Sequence, residues 1–193
     1  MGSEVDKSLS EAVIALGGNL SLRGHGPRVT LEQSLSAMVE AGLVIRAASR
    51  FFATPCFPEG AGPDYVNAAV LIETDLDPGQ LLDLLHRIEH DFGRAREQRW
   101  GMRTLDLDLV CWGDLVLPDG REHQRWLTLA PEDQVKSAPD QLILPHPRLQ
   151  DRAFVLVPMA DVAPDWSHPV LGLTVRQMVA ALPPADVAAV TPL

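Results

Sequence analysis

The order of patterned segments constrains this chain more than any single residue does. Residues 12–16 form a short apolar run that ends in Gly17-Gly18-Asn19, a strand followed by a turn. Residues 27–40 place Val29, Leu31, Leu35, Met38 and Val39 at near-helical spacing, with Gly42 as a stop. Residues 43–52 read as a strand, and the loop 54–64 that follows is rich in Pro and Gly. Residues 65–73 read as another strand. Asp77 then caps a helix, with Pro78 at its first position and Gln80 as capping-box partner. Leu81, Leu85, Ile88 and Phe92 form its buried stripe, and Gly93 ends it. A strand over 104–112 closes the series. This β-α-β-β-α-β order is the ferredoxin-like split pattern of an α/β (α+β) domain. It predicts a four-stranded antiparallel sheet with both helices on one face. The other face is left for a ligand or for extra elements.

Beyond residue 112 the pattern changes. Residues 113–141 mix Gly, Pro, Asp and Glu without a sustained period and read as a long irregular insertion. Order returns at Leu142-Ile-Leu-Pro145-His146. Residues 153–162 read as a buried helix broken by Pro158, and 174–182 as a last helix. The tail after Pro183 is rich in Ala and Pro and reads as loose. No repeat or linker separates two cores, so residues 1–193 are expected to form a single domain. Its core spans about 12–166, with the insertion 113–141 and a C-terminal appendage 167–193.

Charge and composition narrow the function classes. The formal net charge is −10, which disfavours a general nucleic-acid binder, since such proteins carry a basic footprint. A local arginine pocket can still hold a small anion against that global sign. Cys56 and Cys111 lack zinc-ligand spacing and read as reduced thiols of a cytoplasmic protein. The acidic N-terminus holds no apolar run of signal length, and no segment is apolar enough to span a membrane.

Asp106 and Asp108 stand in an otherwise apolar strand, and residues two apart on a strand share a face. Their Cα atoms would lie about 6.5 Å apart, so both carboxylates can reach one cation or bridge two. Oxygen ligation of this kind suits Mg²⁺. Just before them, Arg94, Arg96, Arg99 and Arg103 supply planar donors for phosphate oxygens. Alternation alone is also what a half-exposed strand shows, but Asp is depleted in strands. Tyr65, the single tyrosine of the chain, shares a strand face with Asn67. A ring beside an amide suits a planar heterocycle, and equally a core Tyr with a turn-satisfying Asn. His86-Arg-Ile-Glu89-His90 fits an inverted zincin pattern, or a solvated helix face, or a Glu89 that receives a ribose hydroxyl. His146, Arg148, Arg152 and Phe154 gather an imidazole, two guanidinium groups and a ring after a proline-rich turn.

Taken together these segments resemble the 6-hydroxymethyl-7,8-dihydropterin pyrophosphokinases of folate biosynthesis, from about Val13 to Asp165. The resemblance rests on Leu16-Gly-Gly-Asn19-Leu, Ser49-Arg-Phe-Phe-Ala-Thr54-Pro55, Asp64-Tyr65-Val-Asn67, Ile88-Glu89 and Gly93-Arg94-Ala-Arg96. It rests further on Arg99-Trp100-Gly101-Met-Arg103-Thr-Leu-Asp106-Leu-Asp108 and on Pro145-His146-Pro-Arg148 with Arg152-Ala-Phe154. It implies a ferredoxin-like fold and transfer of the pyrophosphoryl group of ATP to the pterin hydroxymethyl oxygen, releasing AMP. Asp106 and Asp108 would hold two Mg²⁺ against the triphosphate. Arg94 and Arg103 would clamp phosphates from a mobile loop that Trp100 helps close. His86, Glu89, Arg96, His146 and Arg152 would contact ATP. Tyr65 and Phe154 would sandwich the pterin, with Thr54, Pro55 and Asn67 at its edge. Glu97, Met102, Gly18 and His86 stand where lysine, proline, serine and glutamine are frequent in the family. The partners implied are small molecules, with no nucleic acid or membrane, and the chain would be a monomer or weak dimer. Rival readings are a nucleotidyltransferase using the same Asp-x-Asp, a zinc hydrolase on His86 and His90, and a ligand sensor without turnover.

Overall fold

A computed structural model describes residues 9–56, 62–93, 103–130, 133 and 139–193. The elements are β1 (Ser10–Gly18), α1 (Pro27–Glu40), β2 (Val44–Ala48), β3 (Phe52–Thr54), β4 (Tyr65–Thr74), α2 (Pro78–Asp91) and β5 (Asp106–Trp112). They continue with α3 (Gly120–Leu127), α4 (Ala153–Val162), α5 (Val175–Ala181), α6 (Pro184–Ala188) and β6 (Thr191–Pro192). The sheet runs β5-β1-β4-β3-β6, with β2 also pairing β4, and every pairing is antiparallel. Helices and strands follow one another along the chain in the expected succession, but the sheet has six strands where four were expected. The expected second strand is divided at Ser49, whose N–H still donates to the Ala69 carbonyl at 2.9 Å while its hydroxyl takes the place of its carbonyl. The Ser49 hydroxyl accepts the Ala69 N–H at 2.9 Å and donates to the Arg50 carbonyl.

Alternation along β1 explains the layering. Ala12, Ile14 and Leu16 pack with Leu31 and Met38 of α1 and Leu81, Leu85 and Ile88 of α2. Val13 and Ala15 face the other way and pack with Val155, Leu156 and Met159 of α4 and Met178 of α5. Both helices of the split pattern therefore lie on one face, and the later helices cover part of the second. The cap of α2 is as expected: Asp77 accepts the Gln80 N–H at 2.8 Å, and the Gln80 side chain accepts the Asp77 N–H at 3.0 Å.

Three segments differ from their sequence reading. The insertion 113–141 is not wholly irregular: α3 lies inside it, capped by Asp119. Its single buried residue, His123, supplies no apolar period for the sequence to show. Pro158 leaves α4 continuous. The tail is ordered: Val190 is buried, and β6 pairs β3 with Phe52 opposite Pro192 and Ala53 opposite Thr191. Imidazoles join the insertion to the appendage. His123 donates Nε2–H to the Pro145 carbonyl at 2.9 Å, and its ring meets His168 edge-on at 5.7 Å. His168 in turn meets Trp166 at 5.6 Å.

Candidate active site

Cross-strand register puts the chemistry on one surface. Asp106 lies opposite Gly17, Gly17 opposite Asn67, and Asn67 opposite Phe52. One step along, Asp108 lies opposite Ala15 and Tyr65 opposite Thr54. Leu107 and Leu109 point into the α1/α2 layer, so both aspartates point to the other face, with Tyr65 and Asn67. Gly17 is the floor between them: a Cβ there would come within 3.0 Å of Asn67 Oδ1. Asn67 donates to Thr54 Oγ1 at 2.7 Å, joining two residues assigned to the pterin edge. Pro55 is exposed beside them.

The electrostatics centre on the aspartates. The Arg103 guanidinium bonds Asp106 directly. Burial works to lower the Arg103 pKa, but Asp106, with Asp108 and Tyr65 behind it, outweighs burial and raises it. Tyr65 is raised chiefly by burial, with Cys56 and Asp106 adding to it and Arg103 opposing. The lone tyrosine thus shares its electrostatic surroundings with the metal-type carboxylates.

A second group arrives from the turn before α4. Asp108, His146 and Arg152 line one small cleft with Val110, Leu149 and Val155. The His146 N–H donates to the Val110 carbonyl at 2.8 Å, which fixes the turn against β5. The Arg148 N–H donates to His146 Nδ1 at 3.1 Å, so in the neutral ring Nε2 carries the proton. Burial, then Arg152 and Arg148, push the His146 pKa down to about 3, and the ring is neutral at physiological pH. Burial also lowers the Arg152 guanidinium, against the pull of Asp108. Arg152 lies 5.7 Å over the ring of Phe154, which stays 41% exposed. A neutral donor, two guanidinium groups and two carboxylates on one surface suit a polyanion and its counter-cations.

Residues 13–164 match the family described as 7,8-dihydro-6-hydroxymethylpterin-pyrophosphokinase. The chain belongs to that family. A Synechocystis 2-amino-4-hydroxy-6-hydroxymethyldihydropteridine pyrophosphokinase is 37% identical over 172 residues, covering 87% of this chain and 74% of the relative. A Haemophilus influenzae protein of the same name is 36% identical, covering 82% of this chain and 84% of that one. Among solved structures, Plasmodium falciparum HPPK-DHPS A437G with pteroate aligns over 92% of this chain with a TM-score of 0.62. At 15% identity that likeness speaks for the fold alone, and the chain spans 44% of that longer protein.

Within this pyrophosphokinase fold some expected residues stand apart from the cluster. Glu89 is 1% exposed and accepts the Leu107 N–H at 2.8 Å, so it caps the outer edge of β5. His86 and His90 are exposed on α2, and His90 lies 3.6 Å from Asp91. With Glu89 turned inward to the backbone, the three do not converge as zinc ligands would. Among the described residues, no group of three or more His, Cys, Asp or Glu is placed to hold a metal. Arg94, Arg96 and Trp100 lie outside the described residues.

One residue of the site escaped the sequence reading of roles. Asn19 is 2% exposed at the end of β1. Its Oδ1 accepts the Arg103 N–H at 2.8 Å, and its Nδ2 donates to the Pro63 carbonyl at 3.0 Å. The Asn19 and Leu20 N–H groups also donate to the Arg103 carbonyl, at 2.9 and 3.1 Å. Asn19 therefore ties the end of the arginine loop to the segment entering β4. Its sequence signals were its place in the Gly17-Gly18-Asn19 turn and in the block Leu16-Gly-Gly-Asn19-Leu, neither of which gave it a role.

Proposed function

We propose that this protein transfers the pyrophosphoryl group of ATP to the hydroxymethyl oxygen of 6-hydroxymethyl-7,8-dihydropterin, releasing AMP, in tetrahydrofolate biosynthesis. The observation that carries the reading is the single sheet face shared by Asp106, Asp108, Asn67 and Tyr65. The family match over residues 13–164 names the substrate class. In the reaction the hydroxymethyl oxygen bonds to the β-phosphorus while the bond from that phosphorus to the α,β-bridging oxygen breaks. The hydroxyl proton leaves to solvent, and AMP departs with the bridging oxygen.

Asp106 and Asp108 would hold Mg²⁺, and two ions is the number proposed. The donor set fits: two carboxylates on one face, one of them already paired with the cationic Arg103. Bound there, Mg²⁺ would neutralise charge on the phosphates and lower the pKa of the attacking hydroxyl. The protein's own part is positioning and electrostatic complement. Arg103 and Arg152 would pair with phosphate oxygens, and His146 would donate its Nε2–H to one. His86, Glu89 and Arg96 are assigned to ATP on the family pattern. Arg94 would join Arg103 in clamping phosphates, and Trp100 would help shut water out. Tyr65 and Phe154 would hold the two faces of the pterin ring, with Thr54, Pro55 and Asn67 along its edge.

A monomer or weak dimer in the cytoplasm is part of this reading. It agrees with the free Cys56 and Cys111, and no helix among the described residues is long and apolar enough to cross a membrane. The deciding assay mixes protein, Mg-ATP and reduced hydroxymethylpterin. One AMP per pyrophosphorylated pterin is expected. Pyrophosphate release would instead make it a nucleotidyltransferase, and binding without turnover would make it a sensor.

A further inference from the structure

We infer that the C-terminal segment 183–193 is a positioning element for the pterin pocket, with Val190 as the wedge that sets the gap between β3 and the start of α4. The inference rests on the pterin assignment proposed above. The segment lies outside the family match, which ends at residue 164.

Three observations carry it. First, the segment has one buried anchor. From Pro183 to Ala189 no residue is buried, and the last three residues are exposed, whereas Val190 is 7% exposed. Second, that anchor touches both walls of the pocket. Val190 packs with Phe52 of β3 and Ala153 of α4 in a small cluster of its own. Phe52 lies opposite Asn67 and two residues before Thr54. Ala153 is bracketed by Arg152 and Phe154. The edge residues of the pterin site and its exposed ring therefore both adjoin the cluster that Val190 completes, against which Val157 and Leu182 also pack. Third, the backbone after Val190 pins β3 from its open side. The Leu193 N–H donates to the Phe51 carbonyl at 2.9 Å, and Thr191 Oγ1 donates to the Ala53 carbonyl at 3.4 Å. A strand of three residues, held only by β4, would fray at the point where Thr54 receives Asn67.

The same arrangement separates positioning from bulk stability. The two large core clusters include no residue beyond Leu182. Removing 190–193 leaves both intact, and the freed carbonyls of β3 can turn to water. The loss then falls on pocket geometry, and so on pterin binding. The nucleotide side is anchored elsewhere, through Asp108, His146 and Arg152.

The test compares the full chain, a chain ending at Ala189, Val190→Ala and Val190→Ile. Affinity is measured for reduced hydroxymethylpterin in the presence of a non-hydrolysable ATP analogue and Mg²⁺. Affinity for the analogue alone, thermal midpoint and amide exchange across β3 are measured in parallel. Truncation should weaken pterin binding about tenfold, and Val190→Ala about threefold, with the analogue changed by less than about twofold. Val190→Ile should stay near the full chain. Exchange at β3 should quicken in the truncated chain. Equal loss of both affinities with a falling midpoint, or unchanged pterin binding, overturns the inference. If the full chain bound no pterin, the functional reading would fall. Exchange at β3 would still decide the bracing, and unchanged protection there would refute it.

Discussion

Replacing Asn19 tests whether the site is assembled by its loops or by its strands. Asn19→Ala removes the acceptor for the Arg103 N–H at 2.8 Å and the donor to the Pro63 carbonyl at 3.0 Å. Each bond contributes about 1 kcal/mol net, and a buried partner left unsatisfied costs about 1–3 kcal/mol. Arg103 and Pro63 lie at loop ends where water can reach, so the lower end applies, about 2 kcal/mol in all. For a chain of 193 residues this lowers the thermal midpoint by roughly 4–8 °C. The kinetic effect should be larger than the stability effect. Arg103 bonds Asp106, so releasing its N–H, with its carbonyl still held by the Asn19 and Leu20 N–H groups, shifts the carboxylate it accompanies. A displacement of about 1 Å at such a group can cost about 100-fold in turnover. Asn19→Asp separates the two bonds, since it keeps the acceptor for Arg103 and loses the donor to Pro63. It should retain most of the turnover and lose pterin affinity. Steady-state kinetics with calorimetric melting on both variants decide the matter. Normal turnover in Asn19→Ala would show that Arg103 is placed without this tether.

Three further outcomes follow from the same geometry. Asp106→Asn and Asp108→Asn should each cut turnover by about three orders of magnitude or more, with the fold retained by circular dichroism; near-normal turnover in either removes it from the metal assignment. Gly17→Ala pushes a methyl to within 3.0 Å of Asn67 Oδ1 and should weaken pterin binding while ATP binding holds, as read by titration of each ligand. Acid should destabilise the fold through its buried imidazoles. His146 and His168 are pushed down to about 3 and about 4, and His123 is lowered, all chiefly by burial. The unfolded chain then takes up protons first, from about pH 6.5. Stability is full above that pH and falls as pH drops toward 4. His168 should account for on the order of 1 kcal/mol at pH 5. Asn at 168 can still accept the Val170 and Leu171 N–H groups, so His168→Asn should flatten the profile in urea melts at pH 7 and 5.

The chain shows its helices more openly than its loops, for physical reasons. Asp77, Pro78 and Gln80 specify a helix start within four residues, so the start of α2 was legible to the residue, whereas its buried face includes Glu89 and leaves Phe92 as a partly buried cap. Gly42 and Gly93 both take positive φ, +95° and +77°, where the helices were expected to stop. Asp106 and Asp108 were legible because a two-residue period leaves no other arrangement on a paired strand. Asn19 was not, since its bond to Arg103 spans 84 positions and leaves no local pattern. Nor was the tail: Val187, Val190 and Leu193 are alike in an Ala- and Pro-rich stretch, and only the fold reveals Phe52 and Ala153 beside Val190. The division between β2 and β3 hid for a similar reason, because a serine hydroxyl replaces one rung of the ladder.

The strand that carries both aspartates is also an edge of the sheet, and two of its outward backbone groups are occupied. Glu89 occupies the Leu107 amide, and the His146 backbone occupies the Val110 carbonyl. Another chain seeking to extend the sheet there would have to evict a carboxylate and a folded turn. The edge that presents the two carboxylates is thereby made a poorer template for self-association, and removing Glu89 would bare the Leu107 amide.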